Sequence, residues 1–205
     1  MESEIWAVGD GHLSKQLEFF RGYGVHCTAV RGGTIEHVQR ISDEKLASCF
    51  IVMAGGNDLV EVTTDVVMRS MSGLVKRLAN RRRVSCVITG SMIPRSRVRG
   101  FTLKCKEFDE DIEQSDVCHH HFVTDLFYDH EKGPNGVLEE YYIGDKTHLN
   151  GYGIDLLQQL LEWVVGCYYA WEFTQTRIFS TVVGKKRAYW KFQIILWFGC
   201  LIWSG

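Results

Sequence analysis

The 205-residue sequence contains only two prolines, no Cys-x-x-Cys pair, no internal repeat and no low-complexity tract. These absences leave no sign of a proline-rich linker or a repeat array. The 23 basic and 25 acidic residues give a net charge of −2, so a nucleic acid or anionic membrane partner would need a local patch. A hydrophobic content of 45% is typical of globular proteins, and the length fits one domain with a tail.

Cysteine usage indicates the compartment. The seven cysteines are an odd number, which argues against a disulfide framework. Four of them sit in apolar, strand-like runs where cysteine acts as a small buried hydrophobe: Cys27, Cys49, Cys86 and Cys118. Glu2 and Glu4 come early and no apolar signal segment follows Met1. We therefore expect an intracellular, cytoplasmic protein.

Short apolar runs alternate with amphipathic segments, which is typical of βαβ units. Strands are predicted at residues 5–9, 25–30, 47–54, 84–89 and 117–124. Near-continuous apolar strands joined by helices predict a mainly parallel five-stranded sheet covered on both faces. With right-handed crossovers, the fold class is α/β, a three-layer α/β/α sandwich.

Three helices are predicted from apolar periodicity. The clearest covers residues 63–82 and repeats apolar side chains at steps of four, three and four: Val67, Met71, Leu74 and Leu78. A second follows Gly11 and is expected to turn Leu13, Leu17 and Phe20 inward, and a third covers residues 152–165.

Polar and glycine-rich motifs follow the predicted strands. Gly9-Asp10-Gly11 follows the first, Gly33 the second and Gly55-Gly56-Asn57-Asp58 the third, and Asp145-Lys146-Thr147-His148 enters the last helix. In open parallel sheets, ligands bind beyond the carboxyl ends of the strands. Asp145 and His148 can supply an orienting carboxylate and a general base for acyl transfer, and the Asn57 amide and Gly33 N–H can face an oxyanion.

These four motifs, in this order, resemble the SGNH (GDSL-type) hydrolase superfamily, over about residues 5–165. The resemblance implies a flavodoxin-like hydrolase domain at residues 1–165 and a divergent hydrophobic tail at residues 166–205. It implies His148 as general base with Asp145 as its partner, and Gly33 and Asn57 as oxyanion donors. Asp10 and Asp58 support them. The nucleophilic serine corresponds to position 11, which is glycine.

Glycine cannot form an acyl-enzyme, so we expect a domain without ordinary serine-esterase activity that keeps its ligand pocket. Ser14 lies about 4.5 Å further along a helix, too far to replace the hydroxyl. The expected ligand is a small ester or a molecule carrying a carboxylate or phosphate. One alternative is an esterase of small esters in which His148 activates a water; another is an interaction module for nucleic acid or protein.

Simpler interpretations exist for each motif. The glycines can serve as turn residues, and Asn57-Asp58, Asp145 and Asn150 can cap turns or helices. A metal at His119–His121 is an alternative to a structural role, but a site needs three or four convergent ligands. We predict no metal and no cofactor.

Arg95, Arg97 and Arg99 alternate in a loop and can line one groove, which is the basis of the nucleic-acid alternative. Arg81-Arg82-Arg83 at a helix end is typical of a solvated terminus. The tail contains an almost wholly apolar run at residues 192–203, FQIILWFGCLIW. Twelve helical residues span about 18 Å, short of the roughly 20 residues that cross a bilayer, so membrane contact is one alternative and packing on the domain another.

Overall fold

The computed structural model describes residues 4–98, 100–114, 118–121 and 123–179. Its strands are β1 (Ile5–Gly9), β2 (His26–Ala29), β3 (Cys49–Met53), β4 (Cys86–Gly90) and β5 (His119–His121). Its helices are α1 (Leu17–Gly22), α2 (Ile35–Asp43), α3 (Asp58–Glu61), α4 (Thr64–Ala79), α5 (Phe101–Gln114) and α6 (Gly151–Phe179). Short 3₁₀ turns lie at Leu13–Gln16, Thr124–Phe127, His130–Asn135 and Glu139–Tyr141.

The five strands form one sheet in the order β2-β1-β3-β4-β5, and every neighbouring pair is parallel. Ala7 pairs with Ile51, which fixes the register between β1 and β3. The predicted α/β class with a parallel five-stranded sheet is confirmed. Each observed strand overlaps its prediction, although β5 is much shorter than the predicted residues 117–124.

Alternating strand side chains build two cores, one on each face of the sheet. Phe50, Val52 and Val87 pack with apolar side chains of α2, α4 and α5. Ile51, Met53 and Ile88 point to the other face, where they line a cleft with side chains of α6. Because side chains alternate along a strand, neighbouring residues of β3 serve opposite layers.

The predicted apolar face of α4 is confirmed, since its four periodic side chains are at most 1% exposed: Val67, Met71, Leu74 and Leu78. The expected orientation of Leu17 is wrong, because this side chain is 42% exposed. This region begins as a 3₁₀ helix, which has three residues per turn instead of the 3.6 of an α-helix. Gln16 therefore falls below Leu13 on the buried side, and Leu17 is rotated outward.

The chain divides into two units, with Val165 the last residue of the first and Gly166 the first of the second. Helix α6 continues past its predicted end at residue 165 to Phe179. None of the described helices has the length and apolar character needed to cross a bilayer. The apolar run at 192–203 lies outside the described residues, so its contact with a membrane stays a prediction. The assignment of residues 1–165 as a hydrolase-like domain and 166–205 as a tail also stays a prediction.

Candidate active site

The predicted motifs meet at the carboxyl edge of the sheet. Asp10 follows β1 directly, and its N–H donates to the carbonyl of Met53 at the end of β3 (3.0 Å). The N–H of Val30, just after β2, donates to the carbonyl of Gly9 (2.9 Å). These two bonds extend the sheet by one residue at each loop, so the loops that carry the candidate residues start from fixed positions.

Asp145 and His148 form an assembled pair. Nδ1 of His148 lies 2.6 Å from Oδ2 of Asp145, and the other carboxylate oxygen accepts the backbone N–H groups of Thr147 and His148, both at 2.9 Å. The backbone N–H of His148, followed by its ring, holds the pKa of Asp145 well below its usual range. With Nδ1 donating to the carboxylate, Nε2 of a neutral ring is left as the acceptor, which is the state a general base needs.

Position 11 has room for a side chain. A Cβ built on Gly11 meets only Cα of Arg31, at an ordinary 3.7 Å, and the residue does not have a positive φ. The hydroxyl of Ser14 donates to the carbonyl of Gly11 (2.6 Å). Ser14 thus stabilises the turn, and the expectation that it does not act as a nucleophile stays a prediction.

His12 belongs to the site and was not identified from the sequence. The ring centroid of His12 lies 6.0 Å from that of His148, and the backbone N–H of His12 donates to Oδ1 of Asp10 (3.1 Å). Burial, followed by the nearby Arg95 and His148, lowers the pKa of His12 to about 4. The ring is neutral at pH 7. Burial also raises the pKa of Asp10, which is 7% exposed.

The two predicted oxyanion donors are in contact, but they already have partners. Nδ2 of Asn57 donates to the carbonyl of Gly33 (2.9 Å), and the N–H of Gly33 donates to the carbonyl of Val30 (2.9 Å). The expectation that Gly33 offers a free N–H does not match this geometry, because the turn after β2 uses that group. An Asn amide has two N–H groups, and the bond to the Gly33 carbonyl uses one of them.

Asp58 acts on the backbone rather than on the pocket. Its Oδ2 accepts the N–H of Ile35, the first residue of α2 (3.1 Å). A carboxylate at a helix N-terminus satisfies an otherwise unpaired N–H and complements the helix dipole. Asn57 and Asp58 together hold the turn after β2 against the turn after β3, and the supporting role of Asp58 in the site stays a prediction.

Arg95 enters the site from the loop after β4. It is 8% exposed, and one of its terminal nitrogens, Nη2, donates to Oδ1 of Asn57 (3.2 Å). Arg97 is exposed, and Arg99 lies outside the described residues. The prediction that the three arginines line one groove is therefore wrong for Arg95, because the fold buries it. Nucleic-acid contact stays a prediction without this residue.

The cleft beside Asp10 and His12, which Arg95, Asn57 and His148 do not line, is small. This cleft of about 10 Å³ is lined by the polar residues Asp10, His12 and Ser91 and by four apolar ones, Met53, Ala54, Met92 and Ile93. That volume suits one water-sized group. The described side chains contain no cluster of three or more potential metal ligands. The side chains of His120 and His121 lie outside that description, so the metal alternative at His119–His121 stays untested.

Comparison with known proteins agrees with this architecture. A GDSL-like lipase from Bacteroides thetaiotaomicron matches with a TM-score of 0.69 at 18% identity, over 82% of this chain and 89% of the lipase. The psychrotrophic esterase EstA from Pseudoalteromonas sp. matches with a TM-score of 0.61 at 11% identity, over 82% and 100%. A catalytic mutant of the Geobacillus stearothermophilus acetylxylan esterase Axe2, with serine replaced by alanine, matches with a TM-score of 0.54 at 12% identity, over 80% and 94%.

No family model matches the chain, and no curated protein does. The structural matches define the class by fold: this is the three-layer α/β architecture of GDSL-type lipases and esterases. Within that fold the site has an aspartate–histidine pair, an asparagine and a buried arginine, with glycine at position 11.

Proposed function

We propose that the chain is a member of the SGNH hydrolase superfamily that has lost serine-esterase chemistry and keeps its pocket for ligand binding. The observation that carries this proposal is glycine at position 11, next in sequence to His12, whose ring lies 6.0 Å from that of His148 in the assembled Asp145–His148 pair. The proposal is further supported by the fold and by the four motifs at the carboxyl edge of the sheet. The Axe2 mutant is a precedent for this fold with the serine hydroxyl removed.

The missing hydroxyl decides the chemistry. Gly11 has no side-chain atom that can attack an acyl group, and the hydroxyl of Ser14 donates a hydrogen bond to the Gly11 carbonyl. In a well-studied hydrolase, loss of the nucleophile lowers turnover about 10⁶-fold and leaves roughly 10³–10⁴ over water. We infer a comparable loss here and a role in holding a small ester or a carboxylate- or phosphate-bearing ligand.

A second candidate is a slow esterase of small esters in which His148 activates a water. The specific observations in its favour are the room for a side chain at Gly11 and a histidine already oriented by Asp145. General-base catalysis alone typically contributes about 10²–10⁴. This candidate requires no covalent intermediate, so it differs experimentally from a hidden nucleophile.

The test compares the full wild-type chain with His148→Ala, using p-nitrophenyl acetate hydrolysis and a fluorophosphonate probe. We expect equal, near-background hydrolysis and no adduct in mass spectra of either protein. Wild-type hydrolysis well above His148→Ala without an adduct would favour water activation. An adduct on any side chain of the wild-type protein would contradict the proposal, because it would reveal a nucleophile in place of the serine.

A further inference from the structure

Arg95 has far more hydrogen-bonding capacity than the protein uses. A guanidinium carries five N–H donors, but among the described residues this one makes a single hydrogen bond, to Oδ1 of Asn57. Its Nε is buried and has no partner. Its other contact is the ring of Phe101, 5.1 Å from the guanidinium carbon. The asparagine oxygen is neutral, so the charge itself is not balanced by that bond.

No carboxylate of the described chain forms an ion pair with Arg95, although Asp10 is near enough to attract it. Taking a cation out of water without an anionic partner is unfavourable. Burial accordingly lowers the pKa of Arg95. A surface arginine would avoid this penalty by extending into solvent, as Arg97 does two residues later.

The fold holds Arg95 in this position. The hydroxyl of Tyr142 donates to the carbonyl of Pro94 (2.7 Å), and Tyr142 itself bridges to Leu149 in the strand-like pair that flanks Asp145 and His148. Thr124 holds the start of the same loop, since its hydroxyl donates to the carbonyl of Met92 (3.1 Å). The arginine loop is therefore tied to the segment that carries the histidine pair.

The approach of Arg95 to the pocket depends on a glycine. A Cβ on Gly56 would lie 3.0 Å from Nη2 of Arg95 and 3.6 Å from Oδ2 of Asp10. The first distance is tighter than most real Cβ contacts, so Arg95 would have to shift by a few tenths of an ångström. The bare backbone at Gly56 thus lets the guanidinium and the Asp10 carboxylate share one edge of the site with Asn57.

We propose that Arg95 binds the negative charge of the ligand, so that the site accepts an oxyanion, either a carboxylate or a phosphate group, in preference to a neutral ester. The inference rests on the proposed function, because it assumes that the site holds a ligand. The planar guanidinium can donate two parallel hydrogen bonds to either oxyanion.

Binding is tested by calorimetric titration of the full wild-type chain with sodium acetate and with inorganic phosphate. Acetamide, a neutral analogue of acetate, and chloride at equal ionic strength serve as controls. We expect acetate or phosphate to bind at least about tenfold more tightly than acetamide, and the stronger of the two identifies the chemistry of the group. Equal or weaker binding of both oxyanions would overturn the proposal.

The role of Arg95 is tested with Arg95→Met and the matched control Arg97→Met. We expect Arg95→Met to weaken oxyanion binding about tenfold or more while the Tm of the free protein stays equal or rises, because a buried uncompensated charge is removed. Arg97→Met should leave affinity and Tm unchanged. Unchanged affinity in Arg95→Met, or the same loss in Arg97→Met, would overturn the assignment.

If Arg95→Met does not fold, Arg95→Lys decides the question. Lysine keeps the charge but not the planar pair of donors, so affinity should fall about tenfold, and wild-type affinity would contradict the assignment. The two proposals can fail separately. Esterase activity in the wild-type protein would refute the loss of serine-esterase chemistry and leave Arg95 as the anion-binding residue. A protein that neither hydrolyses esters nor binds oxyanions would refute the role of Arg95 and leave the loss of esterase chemistry standing.

Discussion

Gly11→Ser should restore esterase activity, because the structure can accept the serine without rearrangement. The added Cβ meets only Cα of Arg31, at 3.7 Å, and the backbone at position 11 is not left-handed. The contrast with Gly9 is sharp, since a Cβ there would lie 2.3 Å from the carbonyl oxygen of Met53. We expect Gly11→Ser to change the free energy of unfolding by no more than about 0.5 kcal/mol.

The size of the gain follows from what the site already has. The nucleophile is worth about 10⁶ in turnover in a well-studied hydrolase, and one oxyanion donor about 10²–10³. The Asp145–His148 pair is assembled, whereas the N–H of Gly33 already donates a hydrogen bond to the carbonyl of Val30. Counting one oxyanion donor as lost, we expect Gly11→Ser to hydrolyse p-nitrophenyl acetate about 10³-fold faster than wild type.

The matched control is Gly11→Ala, which adds the same Cβ without the hydroxyl and should behave like wild type. The double change Gly11→Ser/His148→Ala should lose the gain, and fluorophosphonate should label Gly11→Ser alone. If a folded Gly11→Ser protein with an unchanged Tm stays unlabelled and inactive, then position 11 does not face His148 as the motif order implies, and the reasoning fails.

Three further changes test the surroundings of the site. The pKa of His12 is about 4 in the folded chain, below its usual value of 6.5, so the unfolded chain binds more protons between pH 6.5 and 4. In urea unfolding, the free energy of unfolding should therefore decrease as the pH is lowered from 6.5 to 4. The decrease should be less steep in His12→Gln. Asp58→Ala removes the acceptor of the Ile35 N–H and should lower the free energy of unfolding by about 1 kcal/mol. In thermal unfolding, Leu74→Ala should be destabilising by about 2–5 kcal/mol, whereas Leu103→Ala, at a 53% exposed position, should have little effect.

The sequence predicted the sheet and most of the core, because strands and α4 obey simple periodicities. Three helices were missed: α5, α2 and the four-residue α3. Helix α5 buries Phe101, Cys105, Phe108 and Ile112 at steps of four, three and four, the same spacing that revealed α4. The signal was present but was masked by the many acidic residues between these positions. Helix α2 is only nine residues long and gives a weaker pattern.

Within the site, Asp145 and His148 could be predicted because both their contacts and their chemistry are local. Arg95 and His12 could not. Their surroundings include side chains from other parts of the chain: Tyr142 holds the loop of Arg95 through the Pro94 carbonyl, and burial, followed by Arg95 and His148, lowers the pKa of His12. Spacing alone suggested that Arg95 and Arg97 face the same way, which holds only for an undistorted strand-like segment.

The presence of the Asp145–His148 pair does not by itself argue for catalysis. Asp145 accepts two backbone N–H groups within its own turn, so the carboxylate stabilises that turn whether or not the ring is used. Arg95 is different. It is buried, it makes one hydrogen bond to a neutral oxygen, and it forms no ion pair with a described carboxylate, although Asp10 attracts it. The proposed role of Arg95 in anion binding accounts for this burial, so Arg95 is the more informative residue about function.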